Sequence, residues 1–328
     1  MKVSVIIPVY NKAPFVAGAV ASVLDQSYSD FELIIIDDGS TDGSQEIIKK
    51  NTDPRIRFYQ NTENTGTAKI GNKLIELANT EYILRLDADD LMLPGRIAAQ
   101  IDFMEKNPEL TVSSGALTCF GSSDDTWYLD EFHDILWSKV LFKSPINQPA
   151  GIIRKSHWLK FNFSYNENSP NLGEDWLLWF KIALKSKVGN LKIPLVKYRM
   201  EGQNITNSRD KKYFNSRDFL YSHMLDELGI TKEYLDVHIL TKPEFNGIPN
   251  KSHIKRFFEW MNVLLDYNRK CKIFKEELFE MEILHRKNQL FFYLMKVNRK
   301  LIRTFFYYNR GLNLNQSRYY FSSVIRRK

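Results

Sequence analysis

The stretch Glu81-Tyr-Ile-Leu-Arg-Leu-Asp-Ala-Asp-Asp90, followed by Leu-Met-Leu-Pro94, decides the fold. Its apolar run, Tyr82 to Leu86, reads as a buried strand, and Asp87, Ala88, Asp89 and Asp90 stand where that strand would emerge into solvent. In an open α/β sheet, ligands bind at the ends of the strands. Neighbouring carboxylates repel one another unless a cation lies between them. An Asp-x-Asp at a strand end therefore suggests a hard divalent ion holding a phosphate group. The plainer reading is a solvated acidic turn, with Asp90 capping a helix that Pro94 opens.

Working outward, the same alternation of apolar run and helical pattern recurs. Val3 to Val9 is a strand rich in β-branched residues, and Pro14 opens a helix with Val16, Val20, Val23 and Leu24 on one face. Phe31 to Ile36 is the second strand, ending in Asp37-Asp-Gly-Ser-Thr-Asp-Gly43. A helix follows through Ile47 and Ile48, then a third strand from Arg55 to Tyr59 and a helical stretch from Lys73 to Ala78. Pro94 to Lys106 is the helix after the tetrad, and Leu110 to Phe120 another strand. Strict alternation predicts an α/β fold with a mostly parallel, Rossmann-like sheet flanked by helices. Right-handed crossovers bring the strand ends to one edge, so Asp37 and Asp38 would join Asp87 and Asp89 in one site. The turn reading of Asp37 to Gly43 remains beside this: Gly39 supplies a positive φ and Ser40 or Asp42 caps the next helix.

Beyond Phe120 the alternation breaks down. Ser122 to Asp134 reads as a loop or insertion, Glu174 to Leu184 as an amphipathic helix and Leu191 to Tyr198 as a late strand. The pattern then turns helical and charged, which divides the chain into residues 1–206 and 207–328. The 328 residues are 43% hydrophobic and 26% charged, ordinary globular material with no apolar run long enough to span a bilayer. Pro8, Tyr10 and Asn11 interrupt the N-terminal apolar run, so it reads as a strand and not as a signal peptide. Cys119 and Cys271 show no metal spacing, which favours a reducing, cytoplasmic setting. The net charge of +7 gathers toward the end: Lys296 to Lys328 holds nine Lys or Arg and no Asp or Glu, interleaved with aromatics. Such a tail suits an anionic membrane surface at the inner face of the cell membrane, or a helical subdomain with inward aromatics and solvated charges. Nucleic acid is the weakest partner for it.

Taken in order, Ser4-Val-Ile-Ile-Pro-Val-Tyr-Asn11, Glu32-Leu-Ile-Ile-Ile-Asp-Asp-Gly-Ser-Thr-Asp42, Asn64-Thr-Gly66 and Asp87-Ala-Asp89 resemble the family 2 glycosyltransferases. The resemblance covers roughly the first two hundred residues. It implies a GT-A fold and an inverting, metal-dependent enzyme that uses a nucleotide-sugar donor, a UDP-sugar by default. Pro8, Tyr10, Asn11, Asp37 and Asp38 would line the nucleoside pocket. Asp87 and Ala88 would face ribose or sugar, and Asp89 would bind Mn²⁺ or Mg²⁺ against the diphosphate. Asn171-Leu-Gly-Glu-Asp175 resembles the family's Glu-Asp element at a helix start. That gives Asp175 the role of general base, with Glu174 as positional rival; the plain alternative is favourable placement of both acids at a helix N-terminus. Asn147 and Gln148, between Pro145 and Pro149, are hydrogen-bonding candidates on the acceptor side, where a turn is the alternative. The acceptor implied is a saccharide or lipid-linked saccharide of a bacterial surface glycan, such as a capsule or lipopolysaccharide.

Two positions depart from the family pattern. Ile70-Gly71-Asn72 stands where an Ala-Arg-Asn is usual, so the phosphate-facing Arg is missing and only Lys69 is at hand to replace it. Glu201 stands two residues after Arg199, where many members carry a His. These departures motivate the rival reading of a degenerate, non-catalytic nucleotide-binding or scaffold subunit. An oxidoreductase or a nucleotidyltransferase would need a glycine-rich loop after the first strand, and Pro8-Val-Tyr-Asn11 is there instead. His133 and His157 are given no catalytic role, and His133 is expected at the surface.

Overall fold

The computed structural model describes residues 1–170, 173–201, 211–238, 249–309 and 316. Its strands are β1 (Val3–Val9), β2 (Phe31–Asp37), β3 (Ile56–Gln60), β4 (Tyr82–Arg85), β5 (Leu91–Met92), β6 (Leu110–Gly121), β7 (Thr126–Trp127), β8 (Ile152–Arg154) and β9 (Lys187–Met200). The first seven helices are α1 (Val16–Leu24), α2 (Ser44–Lys49), α3 (Thr67–Leu77), α4 (Arg96–Lys106), α5 (His133–Lys139), α6 (Lys155–Lys160) and α7 (Glu174–Lys185). The chain divides into two compact units, Met1–Leu220 and Tyr221–Lys328. The boundary expected at 206/207 lies outside the described residues.

One sheet runs through the first unit in the order β3-β2-β1-β4-β8-β6-β9-β5, with β7 paired to β6. β3, β2, β1 and β4 are mutually parallel; every residue of β2 and of β4 is buried, whereas β3, at the edge, is half-buried. The chain builds outward from β1 to β3 and then returns to place β4 on the other side of β1. That reversal puts a topological switch point between β1 and β4, and in such sheets ligands bind outside the C-terminal strand ends at that point. The second half is mixed: β8 runs antiparallel to both β4 and β6, and β9 runs parallel to β6 with three register shifts. The segment expected to be a loop, Ser122 to Asp134, contributes the short β7 and the start of α5.

Beneath the sheet, Val16, Ala19, Val20 and Val23 of α1 pack with Val5, Ile7, Leu33 and Ile35 in one apolar cluster. Each fully buried aliphatic side chain there contributes roughly 1.5–3 kcal/mol. Arg96, at the start of α4, is buried inside this unit and touches no acid. Its guanidinium donates to the carbonyls of Arg85 (2.7 Å) and Pro149 (2.9 Å) and to Gln100 Oε1 (2.8 Å). Burial pushes its pKa down to about 9. Because those carbonyls belong to the end of β4 and to the turn Gln148–Ala150, Arg96 fixes one against the other.

The second unit is helical: the end of α8 (Lys211–Leu228), then α9 (Leu235–His238), α10 (Lys251–Cys271), α11 (Glu276–Val297) and α12 (Ile302–Asn309). Of the basic, aromatic tail, Lys296–Asn309 and Gln316 are described. Phe305 is fully buried against Phe258 and Phe291, whereas Tyr307 is exposed. None of the described helices is long and apolar enough to cross a membrane.

Candidate active site

The loop after β1 carries Tyr10, Asn11 and Lys12, and it is tied to the loop after β2 by four hydrogen bonds. Asn11 N–H donates to Ser40 Oγ (2.9 Å), Lys12 N–H to Ser44 Oγ (2.9 Å) and Ala13 N–H to Asp42 Oδ2 (2.8 Å), while Thr41 N–H donates to Asn11 Oδ1 (2.9 Å). Asn11 adopts the left-handed region at φ 51°, which Asn tolerates better than most residues. Pro8 is half-buried, and Tyr10 and Asn11 are exposed beside it. Asp42 therefore braces two loops, and α2 begins after Gly43.

At the end of β2, Asp37 and Asp38 are both buried. Asp37 Oδ1 accepts from Ser40 N–H (2.9 Å) and Gln45 Nε2 (2.8 Å), and its Oδ2 is buried without a partner. Asp38 accepts from Asn61 Nδ2 (2.8 Å), Thr65 Oγ1 (2.9 Å) and the backbone N–H groups of Thr65 and Gly66 (3.0 Å each). It thereby holds the loop that leads into α3. Gly39 completes this corner at φ 76°: a Cβ there would lie 2.6 Å from the carbonyl carbon of Glu63, on the same loop.

The end of β4 is organised differently, by cations. Arg85 Nε donates to Asp87 Oδ1 (3.0 Å). Burial opposes the charge of Arg85, yet Asp87, Tyr165 and Glu174 hold the guanidinium above the ordinary arginine range. Lys12 Nζ contacts Asp89 Oδ2. Arg199, near the end of β9, lies between the rings of Phe15 and Phe120, at 4.3 and 4.5 Å from their centroids, and its Nε donates to the Asp89 carbonyl (2.9 Å). Glu201 pairs with that guanidinium at 3.5 Å, which brings it to the same corner. Ala88 is buried. Asp90 does not cap α4, whose first turn follows Gly95; its Oδ1 accepts the Arg199 N–H at 2.8 Å. Burial above all, then the charge of Asp87, pushes the Asp90 carboxyl up to about 9.

Glu174 and Asp175 open α7, in its first turn. Burial, and then repulsion from Glu174, pushes Asp175 up to about 7, with Arg85 pulling the other way. The charge of Arg85 is felt by Asp175 and that of Glu174 by Arg85, while the ion pair Arg85 makes is with Asp87. Where the family's arginine is missing, Gly71 has a packing reason: a Cβ there would lie 2.8 Å from the Tyr165 ring. The next residue, Asn72, clasps the Tyr165 backbone through both amide atoms, at 3.1 and 2.8 Å. Lys69 is exposed on a groove of about 570 Å³ with Lys73, Lys155 and Trp158, and no described ion pair joins it to the carboxylates. Asn147 Nδ2 is engaged by the Gly115 carbonyl (2.9 Å), whereas Gln148 Oε1 is buried without a partner.

The sequence reading missed Arg85 and Lys12. A signal existed for Arg85, since a charged residue inside a strand buried on both faces requires a counter-charge. Lys12 gave none, because only the folded loop brings it to Asp89. His133 is half-buried: its Nδ1 accepts the Val188 N–H at 3.2 Å, and burial lowers its pKa to about 4. With His157 it lines a groove beside Lys185 and Lys187, at the start of β9 and away from the carboxylates.

A divalent cation fits the β4 corner. Among the described residues no three His, Cys, Asp or Glu side chains form a cage. Mg²⁺ and Mn²⁺ in phosphate sites use one or two carboxylates and complete their shell with phosphate oxygens and water. The half-buried Asp89 carboxylate meets that need, and the ammonium of Lys12 already stands in for a cation there.

A mostly parallel sheet with acidic residues at its strand ends and helices on its faces is the GT-A architecture. Residues 4–166 match the model of glycosyl transferase family 2, and the chain belongs to that family. An uncharacterized glycosyltransferase of Rickettsia bellii is 32% identical over 238 residues, covering 70% of this chain and 33% of that protein. The chain thus spans about a third of the length of that relative. The Escherichia coli UDP-Glc:alpha-D-GlcNAc-diphosphoundecaprenol beta-1,3-glucosyltransferase WfgD is 24% identical, covering 66% of this chain and 85% of that protein. Among solved structures, S. aureus TarS 1-349 in complex with UDP shares the fold with a TM-score of 0.58, at 17% identity over 88% of each chain.

Proposed function

We propose that the chain is an inverting glycosyltransferase that moves a sugar from a UDP-sugar to a hydroxyl of a saccharide acceptor in bacterial surface polysaccharide synthesis. The supporting observation is the family match over residues 4–166 together with acids at the β2 and β4 ends, where Arg85 and Lys12 pair with Asp87 and Asp89. Catalysis is assigned to residues 1–206, with 207–328 a helical, basic region. The nucleoside sits against Pro8, Tyr10 and Asn11, walled by the loop that Asp38 holds, and Asp87 and Ala88 face the ribose and sugar. Asp89 holds Mn²⁺ or Mg²⁺, which neutralises charge on the departing diphosphate.

Asp175 takes the acceptor proton as the acceptor oxygen bonds to the anomeric carbon and the bond from that carbon to the phosphate oxygen breaks. A carboxyl raised by burial and by Glu174 is suited to that exchange, because it is more basic than an ordinary carboxylate. Asn147 and Gln148 remain the acceptor-side candidates, although Asn147 Nδ2 is committed to the Gly115 carbonyl and Gln148 Oε1 is buried. Asp175→Asn tests the assignment: donor binding should survive while transfer falls by about 10²-fold or more. Unchanged turnover would move the base to Glu174 or elsewhere.

The acceptor is placed on a lipid carrier at an anionic membrane face. Residues 221–328 carry 20 Lys and Arg against 11 Asp and Glu, a net +9, whereas residues 1–220 carry 26 against 28, a net −2. A groove of about 480 Å³ between α10 and α12 is lined by Lys251, Lys255, Arg303, Tyr307 and Tyr308 with no acid among its lining residues. Charge and amphipathic rings of this kind suit an anionic headgroup layer. Lys251→Glu with Arg303→Glu should abolish sedimentation with anionic vesicles and leave UDP binding intact; unchanged sedimentation would remove the groove from this reading.

A further inference from the structure

Lys12 stands out because its charge lies on Asp89 while its backbone is pinned. Its N–H is held by Ser44 Oγ at 2.9 Å, its carbonyl accepts from Phe15 and Val16 at 2.9 Å, and Asn11 before it and Ala13 after it are tied to the β2 loop. Only the four-carbon stem can move. The side chain is 35% exposed and Asp89 27% exposed, so the contact is partly open to solvent and to exchange. Arg199 makes the contrast: stacked between two rings, it donates to the Asp89 backbone carbonyl and is built to stay. An ammonium on a long stem is a movable point charge, whereas a stacked guanidinium is a fixed one.

We propose that Lys12 is an exchangeable counter-ion of this site: it holds Asp89 in the metal-free protein and yields it to the divalent cation when a nucleoside diphosphate binds. It then turns to the diphosphate oxygens. This rests on the reading of Asp89 as the metal ligand. The physical consequence is a pair of effects with opposite sign. Without nucleotide, the ammonium competes with the dication for one carboxylate and suppresses premature metal binding. With nucleotide, the same ammonium adds a positive charge beside the phosphates and tightens the complex.

Mn²⁺ titration of the full chain, followed by electron paramagnetic resonance, separates these effects. Lys12→Met should bind Mn²⁺ alone several-fold to about tenfold more tightly than the wild type, the range of a partly exposed ion pair. At saturating Mn²⁺, the same variant should bind UDP several-fold more weakly, while Lys12→Arg stays near the wild type in nucleotide-free Mn²⁺ affinity. A merely structural lysine would not produce a gain in one affinity and a loss in the other. Equal or weaker Mn²⁺ binding by Lys12→Met, with Asp89→Ala losing Mn²⁺, would overturn the counter-ion role alone. Full Mn²⁺ binding by Asp89→Ala would instead remove the metal from Asp89, and the role of Lys12 would fall with it.

Discussion

The two acidic corners of the sheet look alike in sequence, Asp37-Asp38 after one apolar strand and Asp87-Ala-Asp89 after another, but they are neutralised by different means. Asp38 is satisfied by uncharged donors of its own neighbourhood, four groups from Asn61, Thr65 and Gly66. Asp87 and Asp89 are met by side-chain cations, Arg85 and Lys12. Hydrogen bonds from a loop backbone cannot leave without unfolding the loop, whereas a cation on a long stem can be exchanged for another cation. The first corner is therefore architecture that shapes a pocket wall, and the second is where charge is received.

The sharpest way to break this contrast is to delete one carboxylate from each corner. Asp89→Ala should reduce Mn²⁺-dependent UDP binding by about 100-fold or more, since a hard cation loses its protein ligand. Its melting temperature should move little, because the pair with Lys12 is partly exposed. Calorimetry showing undiminished, metal-dependent UDP binding would end the assignment. Asp38→Ala should behave in the opposite way. It strands the N–H groups of Thr65 and Gly66 and so costs about 2–4 kcal/mol of stability. That corresponds to a drop in melting temperature of roughly 5–15 °C for a domain of this size. If both variants melt alike, the division between architecture and charge reception fails.

The difference between the corners was not legible before the fold was known. Alternating apolar runs announced the β1-to-β4 sheet, because strands buried on both faces must be apolar throughout and their crossovers amphipathic. They also put Asp37, Asp38, Asp87 and Asp89 at the C-terminal ends of β2 and β4, where the structure has them. What alternation cannot encode is which donor reaches which carboxylate across tens of residues: Asn61 to Asp38 spans 23 positions, and Lys12 to Asp89 spans 77. The mixed half of the sheet was hidden for a related reason. β8 is three residues long and inserts between β4 and β6, a pairing that no local period predicts. Gly71 looked like a lost arginine, and only the Tyr165 ring beside it explains why a side chain is excluded.

The finest test of the contrast concerns Arg85, the cation paired with Asp87 whose charge is also felt by Asp175, the proposed base. Asp175 must be ionised to accept a proton, so transfer should fall about tenfold for each pH step of one below its pKa, which burial and Glu174 raise to about 7. Arg85 opposes that rise. Removing its charge in Arg85→Met therefore lifts the Asp175 pKa further and moves the acid limb of the pH–rate profile to higher pH, by roughly half a pH unit. Arg85→Lys keeps a positive charge, and its limb should return toward the wild-type position. The direction is what matters, because a substitution that only disturbed packing would lower the whole profile without displacing it. An unmoved limb would show that Asp175 does not feel Arg85, and the two acidic elements would then be independent.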